Sequence, residues 1–177
     1  LIKRGMKGEF DLLTPAKAVA AELMAIPDFG SSSPSFYEAK RKSIVNFKKS
    51  ILMVAGAALQ KFMDKFADEQ EIIMNLADML TLTYAAESMM LRVEKLETIY
   101  DEEKQKMYKD MLDIFFYDTA PKIHKAGIDA VNSFASGDEH MGMLMGMKRF
   151  TKIQGVNTVL ARRKIADHMI EANKYNL

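Results

Sequence analysis

The sequence predicts an all-α fold, an up-and-down four-helix-type bundle with an extra N-terminal helix and a C-terminal helix. Three observations carry that prediction. No Pro occurs between Pro34 and Pro121 and no Gly between Gly56 and Gly127, so few turns can interrupt the chain there. Apolar residues over that span recur at steps of three and four, the period of one helix face. Residues suited to helix caps stand at the breaks between stripes. At 177 residues the chain has the size of one domain, able to bury about 70% of the surface its unfolded form exposes.

Residues 1–34 read as a helical lead-in and loop, and residues 35–177 as the bundle. Thr14 and Pro15 make a cap-plus-first-turn pair that opens a helix through Leu23. The segment from Ile26 to Ser35 holds two Pro, one Gly and four Ser and reads as a loop. A helix follows over 35–66, with Ile44, Phe47, Ile51, Ala55, Ala58, Phe62 and Phe66 on one stripe. The chain breaks near Ala67, where Asp68 and Glu71 have capping-box spacing. The next helix, 69–100, carries the stripe Ile72, Leu76, Met79, Thr83, Ala86, Met90 and Val93. A third long helix, 101–136, opens at Asp101 with Glu102 and Glu103 where acids suit the helix dipole. Its expected core positions are Met107, Met111, Ile114, Phe115, Ile128, Val131 and Phe134, with a kink between Tyr117 and Pro121. Gly137 suits the left-handed residue past a helix end. Asp138 is expected to cap a helix over 138–150, and Asn157 or Thr158 one over 158–174.

The net charge is +1, with no overall basic excess of the kind that draws nucleic acid. Its distribution is uneven: residues 64–118 hold 14 acidic and 6 basic groups, and both ends are basic. That pattern favours the acidic helices packing between basic neighbours, or a docking surface for another polypeptide. With no Cys, disulfides, thiolate metal sites and cysteine nucleophiles are excluded. The longest apolar run, Ile51 to Leu59, is well short of the roughly 20 residues that cross a bilayer. Leu1 in place of Met, with no apolar signal region behind it, reads as a chain cut from something longer.

Candidate chemistry fails on spacing. A di-iron bundle needs a carboxylate three residues before a His, but Pro121, Gly137 and Ile165 precede His124, His140 and His168. Met141, Met143, Met145 and Met147 alternate like a copper ligand set. On a helix they fall on opposite faces, so they read as core filling in a segment buried between two layers. Gly142 and Gly146 permit a close helix crossing, and no phosphate-loop spacing is present. The last helix sets Ala161, Ile165, Met169 and Ala172 opposite Arg162, Arg163 and Lys164, a pattern shared by interfacial helices and by helices docked on a bundle. No aromatic residues interleave with these basic groups, so single-stranded nucleic acid is not a partner. No catalytic, cofactor-binding or metal residue is assigned.

Four blocks, LIKRGMKGEFDLLTPAKAVAAELMAIPDFG, ILMVAGAALQKF, EIIMNLADMLTLTYAAESMMLRVEK and FASGDEHMGMLMGMKRFTK, resemble in order the C-terminal extension of long-chain and very-long-chain acyl-CoA dehydrogenases of bacterial type. The resemblance covers nearly the whole chain and implies a helical bundle similar to the family's C-terminal α-domain. It further implies a parent flavoprotein that removes two hydrogens from the α and β carbons of an acyl-CoA in fatty acid β-oxidation. In that family a glutamate base and FAD do the chemistry, and an electron-transferring flavoprotein takes the electrons. The residues that hold flavin and thioester lie upstream of the matched part, so the resemblance places none of them at a numbered position here. The implied role is packing and quaternary structure, with the catalytic core of the same polypeptide as partner and a homo-oligomeric, cytoplasmic parent that admits peripheral contact with the inner membrane. Two other readings remain at this stage: a free-standing helical interaction module and a lipid-surface-binding domain.

Overall fold

The computed structural model describes residues 11–24 and 34–174, and in that range it is all helix with no strand. The expected lead-in at 1–10 and most of the loop from Ile26 to Ser35 lie outside the described residues. The elements are α1 (Leu13–Met24), α2 (Phe36–Phe62), a 3-10 helix (Met63–Asp68), α3 (Gln70–Leu96), α4 (Glu102–Phe134), α5 (Gly137–Phe150) and α6 (Thr158–Ala172).

Cross-helix contacts fix the directions. Arg41 on α2 pairs with Glu94 on α3, and Lys48 with Glu87 at 2.7 Å, so these helices are antiparallel. The Phe47 ring lies 6.3 Å from that of Phe116 on α4, and the Lys61 ammonium reaches the Phe134 carbonyl, so α2 and α4 run parallel. Lys61 thereby places a cation at the C-terminal end of α4, whose own last turn has none, where it offsets the negative end of the dipole. A β-carbon at Gly146 would meet the Met53 sulfur at 2.5 Å, and Lys49 sits over the Phe150 ring at 6.0 Å, so α5 returns antiparallel to α2. The result is the up-and-down four-helix arrangement, with α1 laid on α2 and α6 on α4. Gly56 lets α1 approach closely, because a β-carbon there would come within 2.3 Å of the Ala16 β-carbon.

The core forms where these faces meet. Phe47, Phe66, Phe116, Phe150, Met79, Leu112, Ile123 and Met147 are its largest fully buried side chains. All seven expected stripe residues of α3 are buried. On α4, Met107, Val131 and Phe134 are buried as expected, but between them the core face runs through Leu112, Phe116, Thr119 and Ile123, while Met111, Ile114, Phe115 and Ile128 are half-buried. The three-plus-four spacing fits either set, and the packing against Phe47 selects the one displaced by a residue.

Several expected caps differ. Asp11, not Thr14, caps α1: its carboxylate accepts the Thr14 N–H at 3.0 Å. Glu69 occupies the N-cap of α3 with no side-chain capping bond, so Asp68 and Glu71 make no capping box. The capping box lies at α2, where the Ser35 hydroxyl accepts the Glu38 N–H and the Glu38 carboxylate accepts the Ser35 N–H. Asp101 caps α4 and Asn157 caps α6 through the N–H groups of Lys104 and Leu160. Gly137 has φ +60° and opens α5, with Asp138 in the first turn rather than at the cap. Helix α4 continues unbroken through Pro121, whose neighbours Tyr117, Asp118 and Lys122 are exposed. There water can reach the carbonyl that proline leaves without a donor.

The α-helical part of the expected 35–66 helix ends at Phe62 because Met63 takes φ 48°, ψ −121°. A β-carbon resists that conformation and glycine does not. Strain of about 1–3 kcal/mol, less the entropy glycine adds to the unfolded chain, gives an expected stabilisation of about 1 kcal/mol for Met63→Gly. Met63 is 69% exposed, so little burial is lost. Urea unfolding of the variant should shift to a higher midpoint, and an unchanged or lower midpoint would show that Met63 is not strained.

Candidate functional site

Four basic residues in the first half of α2 form ion pairs within the bundle. Lys40 pairs with Asp113 on α4, Arg41 and Lys48 with α3, and Lys49 with Glu22 on α1 at 2.6 Å. Arg162 on α6 reaches Asp118 on α4 at 2.7 Å. The acidic α3 and α4 thus lie between basic neighbours. Lys40 is the most enclosed of these cations, its ammonium 4.9 Å from the centre of the Phe116 ring and 5.3 Å from that of Phe36. Close by, Lys109 pairs with Glu97 and holds its carboxyl below the usual glutamate range. The buried Tyr37 hydroxyl is pushed well above the ordinary tyrosine range, first by burial and then by the Glu97 carboxylate.

The histidines are separate. Thr151 donates its hydroxyl proton to the Met147 carbonyl at 2.6 Å, so the contact of 2.8 Å between its oxygen and His124 Nδ1 requires that nitrogen to donate. His140 Nε2 lies 2.7 Å from the Asn132 side-chain oxygen. His168 Nε2 is buried with no hydrogen-bond partner among the described residues. Among those residues no three His, Asp or Glu side chains come together to hold a metal ion.

Two clefts open on the surface. One, of about 300 Å³, lies between α4 and α6 and is ringed by Glu103, Asp110, Asp167 and Glu171 as well as lysines and His168. The other, of about 580 Å³, lies between the start of α2, α4 and residues 152–156, and includes Lys40, Lys42, Lys152 and Asp113. Carboxylates and lysines mix around the first, and in the second Lys40 is paired with Asp113.

Two exposed faces are more distinctive. On α5, Met143 and Met147 are buried but Met141 and Met145 are 63% and 71% exposed. The segment is therefore not enclosed between two layers, since α2 and α4 cover one side only. Gly146 makes the expected close crossing and Gly142 faces open space. On α3, Met74, Ala77, Thr81, Tyr84, Ser88 and Leu91 are all exposed and uncharged. They repeat at steps of three and four, a second helical stripe interleaved with the core stripe. In the sequence it is hidden, because the buried stripe already accounts for the period. On α6, Ala161 is buried and Ile165 and Met169 half-buried against the bundle, so that apolar side is taken up by docking. No helix of the described residues is long and apolar enough to cross a membrane.

Comparison with known proteins agrees with this architecture. Residues 46–149, more than half of the chain, match the family model described as acyl-CoA dehydrogenase, C-terminal domain. A Bacillus subtilis (strain 168) protein named "Probable acyl-CoA dehydrogenase" is 29% identical over 177 residues, covering 99% of this chain and 30% of that protein. The crystal structure of an acyl-CoA dehydrogenase complexed with FAD from Bacillus anthracis superposes with a TM-score of 0.85 at 31% identity, over 99% of this chain and 29% of that one. The chain thus spans less than a third of either relative. A helical bundle with this topology and this match belongs to the acyl-CoA dehydrogenase family and is its C-terminal domain.

Proposed function

We propose that this bundle is the non-catalytic C-terminal accessory part of an FAD-dependent acyl-CoA dehydrogenase of the long-chain or very-long-chain branch. Its work is packing and the fixing of quaternary structure, while α,β-dehydrogenation in fatty acid oxidation takes place elsewhere in the parent polypeptide. The match of residues 46–149 to the family's C-terminal domain carries the reading, and the FAD-bound relative supports a flavin in the parent. The bundle's own polar chemistry supports it further, since Lys40, Lys48, Lys49 and Arg162 are paired across helices rather than gathered on a ligand. The catalytic core is then the first partner, an electron-transferring flavoprotein the parent's electron acceptor, and the cytoplasm the setting. Any peripheral membrane contact falls to the outer face of α6, where Val159, Leu160 and Ile170 are exposed near Arg163 and Lys164.

The purified 177-residue chain should show no flavin absorbance and no oxidation of acyl-CoA with an artificial electron acceptor. The same chain joined to a flavin-binding core of the family should show both. Turnover by the chain alone would overturn the proposal.

A further inference from the structure

The uncharged outer stripe of α3 has a geometry that can be tested against itself. Met74, Ala77, Thr81, Tyr84, Ser88 and Leu91 occupy alternating steps of three and four, the a and d positions of a heptad seam. They are exposed, with Met74 at 68%, Tyr84 at 74% and Leu91 at 54%. Helix α3 turns its other faces to α2 and α4, and nothing in the described bundle covers this one. The flanking positions on one edge are Asp78, Ala85 and Arg92. Asp78 and Arg92 are exposed and make no ion pair among the described residues.

We infer that the outer stripe of α3 pairs with the same stripe of a second copy of this chain, antiparallel about a two-fold axis. Three features of the stripe argue for this occupant. A two-fold contact brings the same patch against itself, and an uncharged stripe does so without like-charge repulsion. In the antiparallel register that sets Tyr84 against Ser88 and Leu91 against Thr81, each of these large residues meets a small one, as interdigitating packing requires. The self-paired part of the stripe is therefore residues 81–91, with Met74 and Ala77 falling opposite Thr98 and Lys95 at its ends. That same register places Asp78 of each copy opposite Arg92 of the other, so two unpaired opposite charges become two complementary pairs. On the opposite edge Glu87 meets its own counterpart, and Lys48 at 2.7 Å already neutralises it. The inference does not depend on the accessory role proposed above, because it concerns this chain's own self-association.

Sedimentation equilibrium of the 177-residue chain should show a monomer–dimer equilibrium. Tyr84→Glu should abolish the dimer without changing helicity or the unfolding midpoint, since the residue lies outside the core. Asp78→Arg and Arg92→Asp should each weaken the dimer at least about tenfold, two attractive pairs having become repulsive. Mixing these two variants, or combining both changes in one chain, should restore dimerisation. A chain that stays monomeric, or a dimer indifferent to all three substitutions, would overturn the inference. So would protection of the stripe that arises only when the flavin-binding part of the polypeptide is present, which would assign the face to that partner.

Discussion

Phe116→Ala is expected to destabilise the chain by about 4 kcal/mol, the cost of removing a large ring from a packed interior that closes only partly over the gap. Phe116 is 1% exposed, packs 6.3 Å from Phe47 and forms one wall around the Lys40 ammonium. Its neighbour Phe115 is half-buried, and truncating it should cost well under half as much, about 1–1.5 kcal/mol, in proportion to the apolar area returned to water. Urea unfolding of the two variants side by side settles which face of α4 is the core. Equal losses, or a larger loss at Phe115, would place Phe115 inside and undo the packing of α4 on α2.

That pair of residues also shows where a sequence stops being legible. The long helices and their order could be read because Gly and Pro are absent over a wide span and the apolar period is sustained. On α3 the buried set is the expected one, since Ile72, Leu76, Met79, Met90 and Val93 are large and the competing stripe is weaker. On α4 the apolar residues Met111, Leu112, Ile114, Phe115 and Phe116 crowd together, so the period allows two faces a residue apart. Only the partner helix decides between them. The same limit applies to α5, where four alternating methionines say nothing of which pair meets α2. The strained backbone at Met63 gave no signal, because it is imposed by the junction of α2 with the 3-10 helix. The outer stripe of α3 did have one, a second three-four repeat in residues already assigned. A bundle helix needs only one buried face, and a second uncharged one has to be explained by something outside the bundle.

The ion pair beneath the Phe116 ring leads to a second large effect, one that depends on which partner is removed. Lys40 is 13% exposed at its side chain and Asp113 26%. Asp113→Ala leaves the ammonium between Phe36 and Phe116 with no counter-charge. Removing one partner of a buried pair costs about 3–5 kcal/mol, and water access to this site reduces the expected loss to about 2 kcal/mol. The ring faces retain part of the cation's stabilisation, which is a further reason for the reduction. Lys40→Met should cost less, about 1 kcal/mol, because Asp113 can turn towards water and the methionine fills the channel between the rings. In Lys40→Met/Asp113→Ala no charge remains to be desolvated, so the double variant should be more stable than Asp113→Ala alone. A double-mutant cycle from urea unfolding reads all three values. If Asp113→Ala costs no more than an exposed pair, below about 0.5 kcal/mol, then the ammonium is hydrated and the enclosure by the two rings does not hold in solution. If the double variant is the least stable of the three, with a loss near the sum of the two single losses, the cycle gives no coupling between Lys40 and Asp113, and α2 is held to α4 by its apolar face rather than by this pair.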